Sequence, residues 1–244
     1  MKKSFALIGM GVAMASAPAM AFEISPYAAL RLTGSVVNND MTVISDYSFG
    51  GKKHHVNTMA DETHSDFAFG ANAAIGAKLD LGYGALRGEF AFDWKSDATD
   101  DNDFYFKVDN PYVHNFESTT SLYDVMFNLY YDFDTGTSFV PFLTAGLGYG
   151  HIALSTAAAG TTEYGPIDIS KDTNADNFVW GVGAGVAYEL TENLAIDLMY
   201  RYTNYGSVDA NAEFDIIKLG KPLPVDADFD IATHEFMLGA RYTF

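Results

Sequence analysis

Few side chains in this sequence have the types and spacing that chemistry needs. A hydrolase or acyltransferase requires a nucleophile, a base and an orienting group within hydrogen-bond reach. The nearest candidates are His151 with Ser155, and His234 beside Glu235. His151 continues the apolar alternate row of Leu147 and Tyr149, and His234 and Glu235, as sequence neighbours on a strand, point to opposite faces. The His-x-Ser spacing of the lipid A deacylases is missing. The expectation is therefore no catalytic residues, no cofactor and no enzyme. The run Asp97-Ala98-Thr99-Asp100-Asp101-Asn102-Asp103 lacks the glycine and the distant glutamate of an EF-hand loop, so no metal site is expected either. Lys52-Lys53-His54-His55 is the one basic cluster, suited to meeting lipopolysaccharide phosphates or keeping a loop soluble.

A second set of charges recurs at strand spacing. Arg31, Lys78, Arg87, Glu89, Asp93, Asp124, Asp132, Glu189, Asp197, Arg201, Glu235 and Arg241 each sit on the polar row of an alternating segment. Those segments position everything else. Period-two alternation marks eight of them, at 26–36, 66–80, 85–95, 120–133, 139–153, 177–190, 194–205 and 234–244. The second is the clearest: Phe67, Phe69, Ala71, Ala73, Ile75, Ala77 and Leu79 form one face. The last alternates from His234 through Phe236, Leu238, Ala240 and Tyr242 to the terminal Phe244.

The connections 81–84, 134–138 and 191–193 are tight, whereas 37–65, 96–119, 154–176 and 206–230 are long and polar. Strict alternation of short and long predicts an all-β, eight-stranded antiparallel up-and-down transmembrane barrel. Three short turns and both termini lie at the periplasmic end, and four long extracellular loops at the other. A soluble lipocalin-type barrel would alternate too, with its apolar face inward. Against it stand the glycines of the polar rows (Gly146, Gly148, Gly150, Gly181, Gly183, Gly185) and aromatics gathered at strand ends. Trp94, Tyr149, Trp180, Tyr200 and Tyr202 mark the loop side; Tyr131, Tyr188, Tyr242 and Phe244 mark the turn side, as two headgroup belts require.

The amino terminus agrees with export. Met1-Lys2-Lys3, an apolar stretch at 4–15 and Ala19-Met20-Ala21 make a secretory signal peptide over residues 1–21, leaving 22–244 as the barrel domain. There is no cysteine, and the formal charge of −18 is unsuited to nucleic acid.

The motifs Pro141-Phe142-Leu143-Thr144-Ala145-Gly146-Leu147-Gly148-Tyr149, Gly181-Val182-Gly183-Ala184-Gly185, Tyr200-Arg201-Tyr202-Thr203-Asn204-Tyr205-Gly206 and Gly239-Ala240-Arg241-Tyr242-Thr243-Phe244 resemble those of the outer membrane protein A and opacity-protein barrels. The resemblance covers the mature chain. It implies a Gram-negative outer-membrane location and a surface-exposed barrel serving as adhesin, stabiliser or small pore. It also implies that the barrel assembly machinery reads Phe244. The implied partners are outer-membrane lipid, lipopolysaccharide and a host or extracellular ligand at the loops, with the barrel a monomer.

An eight-stranded lumen is just wide enough to be filled by side chains. Buried charges there must pair, and counting from strand ends predicts Arg201 with Glu235 and Asp197 with Arg241. The inward glycines leave room for arginines, Phe142 and Tyr130. The leading functional expectation is a structural or adhesin-type surface protein. A narrow, gated, porin-like channel is the alternative, and a lipid-modifying enzyme a weaker one.

Overall fold

The computed structural model describes residues 24–49, 52–102, 112–162, 165–216 and 221–244; the expected signal segment lies outside them. Nine strand segments follow in order: β1 (Ile24–Phe49), β2 (Lys52–Asp80), β3 (Gly84–Lys95), β4 (Ala98–Asn102), β5 (Tyr112–Phe133), β6 (Phe139–Thr162), β7 (Gly165–Glu189), β8 (Leu194–Ile216) and β9 (Lys221–Thr243). All pair antiparallel with their neighbours, and β3 and β4 both pair with β5. They are one stave broken at Ser96 and Asp97, so the segments trace eight staves. β1 pairs with β9, and β3 with β5, which closes the cylinder.

The alternation fixes which row faces lipid. Leu32 is 73% exposed and Ile75 69%, while Arg87 and Glu235 between the apolar rows are fully buried. Closure of the staves at membrane level pairs their backbone groups with one another, and the apolar outer face matches hydrocarbon outside. The turns are tight for local reasons. Gly82 and Gly136 take positive φ values of 81° and 66°, and the preceding Asp80 and Asp134 carboxylates accept their amides at 2.7 and 2.8 Å.

The long connections are not irregular over most of their length. The β1–β2 ladder runs from Ile24↔Leu79 to Phe49↔Lys52, β6–β7 continues to Thr162↔Gly165, and β8–β9 continues to Ile216↔Lys221. The hairpins therefore extend the barrel wall outward into a head. The wall is not continuous there. β7 and β8 pair only between Glu189↔Ala195 and Trp180↔Asn204, and β2 and β3 only between Asp80↔Ala85 and Gly70↔Lys95. Above those levels the head is two sheets, β2-β1-β9-β8 and β4-β5-β6-β7. Between them lies an apolar cluster of Val37, Ala68, Val208, Phe229 and Ile231 from the first sheet and Ala98, Leu122, Ile152, Leu154 and Val179 from the second.

Candidate functional site: a packed lumen beneath an extracellular head

The lumen charges fall into two groups stacked along the barrel axis. Nearer the turns, Arg31 Nη2 lies 2.8 Å from Glu89 Oε2 and 3.7 Å from Asp197 Oδ2, and its Nη1 donates to Asn72 at 2.7 Å. Arg241 reaches the same Asp197 at 3.2 Å. Arg87 takes Asp132 through both Nε and Nη2, at 2.8 Å each at closest approach, and its guanidinium lies 4.3 Å from the centre of the Tyr130 ring. Tyr27 and Tyr130 donate their hydroxyls to Glu89 at 3.0 and 2.7 Å. Three guanidinium groups thus meet three carboxylates in a buried, hydrogen-bonded layer, and the charge-assisted bonds offset part of the cost of desolvation.

Nearer the loops, Arg201 Nη2 bridges Glu235 at 2.6 Å and Asp93 at 2.8 Å. Lys95 Nζ lies 3.1 Å from Glu235 and 3.5 Å from Asp124. The Lys95 ammonium donates to Tyr205 Oη at 2.6 Å, and the Tyr205 hydroxyl passes on to Asp124 at 2.5 Å. Thr233 caps Glu235 at 2.7 Å. Phe142, Tyr130, Met199, Met237 and Ala187 pack as a buried apolar cluster spread over β5 to β9.

The cross-strand contacts Arg201 to Glu235 and Asp197 to Arg241 are both present, on β8 and β9. Asp124 joins the upper group rather than the lower one that holds Arg31, Arg87, Glu89, Asp197 and Arg241. Lys78 sits at the turn end, partly exposed, 3.9 Å from Glu189. Three members were missed in the sequence: Tyr27, Lys95 and Tyr205. Each lies at or next to the end of a segment expected from the sequence, where the alternation places it inward with Ala29, Asp93 and Thr203. Glycines make the space. A Cβ on Gly185 would lie 2.5 Å from Phe142 Cζ, and one on Gly239 would lie 2.5 Å from Arg31 Cγ.

Outside, the aromatics form two levels. Tyr149 pairs in register with Phe178, and Trp180 packs on Tyr202 with ring centres 5.7 Å apart; Trp94 is exposed, beside Tyr123. At the other end Tyr188 packs on Phe139, and Tyr242 on Phe244, while Tyr131 packs on Phe133. Phe244 N is held by Pro26 O at 2.9 Å, fixing the last residue to β1.

The candidate catalytic residues go elsewhere. His151 Nδ1 meets Asp176 at 2.6 Å and stacks on Tyr123, whereas Ser155 donates to Asp172 at 2.8 Å. His234 Nδ1 meets the Tyr200 hydroxyl at 2.6 Å on the outer face, away from Glu235 inside. Asp97 accepts from Ser121 at 2.5 Å. The rest of that acidic run, from Asp100, and the side chains of Lys52, Lys53, His54 and His55 lie outside the described side chains. Among the described residues no group of three or more metal-ligating side chains comes together.

A closed antiparallel barrel with lipid-facing apolar rows, two aromatic belts and a charged core is an outer-membrane β-barrel. The chain belongs to the outer membrane protein beta-barrel domain family, whose model matches residues 5–244, and its location is the Gram-negative outer membrane. It is 30% identical over 198 residues to outer membrane protein PagN of Salmonella typhimurium, covering 77% of each chain. Opacity protein opA67 of Neisseria gonorrhoeae is 29% identical over 163 residues, 59% of this chain and 61% of that one. Among solved structures, outer membrane protein OprG of Pseudomonas aeruginosa aligns with a TM-score of 0.49 and 15% identity, over 89% of this chain and 95% of that one.

Proposed function

We propose that this protein is a non-enzymatic surface-interaction protein of the adhesin type, anchored by its barrel and binding an extracellular ligand through its head. One observation carries the reading: the membrane-level lumen is filled by two paired charge layers and roofed by a packed apolar cluster, while the hairpins above it form an ordered, strand-built surface. A molecule built that way presents a surface rather than a passage. Loops on a rigid scaffold are where binding residues concentrate. The same geometry weighs against the narrow channel, because any path through the lumen must break charge pairs buried on both sides. The separation of His151 from Ser155, each with its own carboxylate, supports the non-enzymatic part.

In this reading the eight-membered charge set Arg31, Arg87, Glu89, Asp124, Asp197, Arg201, Glu235 and Arg241 is the structural core of the anchor. The belts seat it among lipid and lipopolysaccharide, and Phe244 is the residue read at assembly. The test is to replace 37–65, 96–119, 154–176 and 206–230 one at a time by short turns, and to measure attachment of the bearing bacteria to host cells or matrix. Loss of attachment by at least one replacement, at unchanged surface level, is the expected result. Attachment that survives all four overturns the reading.

A further inference from the structure

The barrel wall opens on one flank of the head. Above Trp180↔Asn204, residues 165–179 of β7 and 205–216 of β8 have no ladder between them, although β7 stays paired to β6 and β8 to β9. Among the described residues, two strand edges therefore face one another unpaired. The opening is set by the chain itself. The register slips between Asn204 and Gly206, and Gly206 adopts a φ of +74°, which is the geometry of a bulge that turns a strand away from its neighbour.

The base of the opening shows what the edge lacks. The Asn177 side-chain amide donates to the carbonyls of both Tyr205 and Ser207, at 2.9 Å each. A side chain there supplies the two donors that a paired strand would supply. The period of two then directs the backbone groups of 209, 211, 213 and 215 toward the same gap. The other flank is closed differently: Ser96 N donates to Phe69 O at 2.6 Å, and Ser96 Oγ accepts from Phe69 N at 3.1 Å.

Bare strand edges are templates for another strand. The chemistry of the margins selects among strands. Asp168, Asp172 and Asp176 lie on β7, and Asp209, Glu213 and Asp215 on β8, against Lys171 as the one basic residue of either margin. Asp172, Asp176 and Asp209 are exposed. We infer that the β7–β8 gap takes up an extended, basic polypeptide segment of a partner protein as an added strand, through backbone hydrogen bonds on the edges of β7 and β8. This deepens the adhesin-type reading and rests on it, naming the partner as protein and the mode as strand addition.

The experiment uses the full barrel in lipid nanodiscs and a labelled, end-blocked ten-residue peptide of alternating lysine and valine. Two isomers carry N-methyl groups, one on every lysine amide and the other on every valine amide, so each keeps the charge and loses donors along one edge. Fluorescence anisotropy is expected to show binding of the parent peptide and at least about tenfold weaker binding of both isomers, because several hydrogen bonds are lost in each. Asp209→Pro, which removes one edge donor, should weaken the parent peptide, whereas Asp209→Asn should retain most of the binding. Unboiled gel mobility shows that each variant is folded.

Equal affinity of parent and methylated peptides, meaning attraction by charge alone, overturns the inference. So does no binding at millimolar peptide, or sedimentation showing that the edges pair two copies of this chain. If head replacement still abolishes attachment of bacteria while the peptide fails to bind, strand addition falls and the adhesin-type reading stands.

Discussion

The membrane half and the head of this barrel are built from the same staves with opposite polarity. β9 shows the inversion on one strand. Its inward row runs Phe229, Ile231, Thr233, Glu235, and its outward row runs Asp228, Asp230, Ala232, His234, Phe236, Leu238. Below the crossover the interior is charged and the exterior apolar; above it the interior is apolar and the exterior polar. β6 repeats the pattern, with Leu154 and Ile152 inward above the inward Gly150 and Gly148. The surroundings dictate this. Lipid accepts apolar side chains on the outer face and forces polar ones into the lumen, whereas water outside the membrane restores the ordinary arrangement of a two-sheet protein. The inversion also roofs the charge layers with a cluster that no ion crosses cheaply.

The comparison can be broken most severely in the charge layers. Arg87→Ala leaves Asp132 buried opposite no cation, at an expected cost of about 3–5 kcal/mol. Urea titration followed by unboiled gel mobility reads it, and a loss below about 1 kcal/mol would show that the layer is hydrated rather than dry. In the head, Ile152→Ala cuts into the apolar cluster, where Ile152 is fully buried. It should cost about 2–5 kcal/mol. Its effect should appear as faster amide exchange above Trp180 with the membrane ladders unchanged.

A matched pair sharpens the contrast on a single row. Leu238→Arg places a charge against lipid midway up β9, at the level of Leu32 and Leu198, and should cost about 2–4 kcal/mol. Asp230→Arg, eight residues up the same outward row, should change stability by less than about 0.5 kcal/mol. Equal effects would mean that both positions meet the same solvent. The smallest change in folded stability is expected from deleting Phe244. Its backbone amide holds one hydrogen bond to Pro26 and its ring packs only on Tyr242 among the described ring contacts. Surface yield should nevertheless fall, as measured by outer-membrane fractionation; normal yield would remove Phe244 as the assembly signal.

The same inversion decides how much could be read from the sequence. Where lipid is outside, long uninterrupted rows such as Phe67 to Leu79 and Phe236 to Phe244 stand out, and eight strands, their turns and their closure follow. Where water is outside, the inward apolar residues come singly between aspartates and serines, as Val208 does between Ser207 and Asp209. Those stretches look like polar loops although they are strands. In the lumen, Arg201 with Glu235 and Asp197 with Arg241 were legible because they are near neighbours across one ladder. The Arg201–Asp93 and Arg31–Glu89 contacts were not, since they join staves that share no ladder and depend on how far each arginine reaches across the lumen. Lys95 and Tyr205 were hidden for a simpler reason: they sit at the level where the two polarities change over.

The central claim is that this barrel acts through its head and not through its lumen. Planar-bilayer conductance of the refolded protein with its four long hairpins replaced by short turns tests it most directly, because trimming removes the apolar roof and leaves only the charge layers. With the charge pairs intact, the expected result is no resolvable channel from either the full or the trimmed barrel. Discrete openings in the full barrel, abolished or locked by Glu235→Ala, would contradict it and return the function to the lumen.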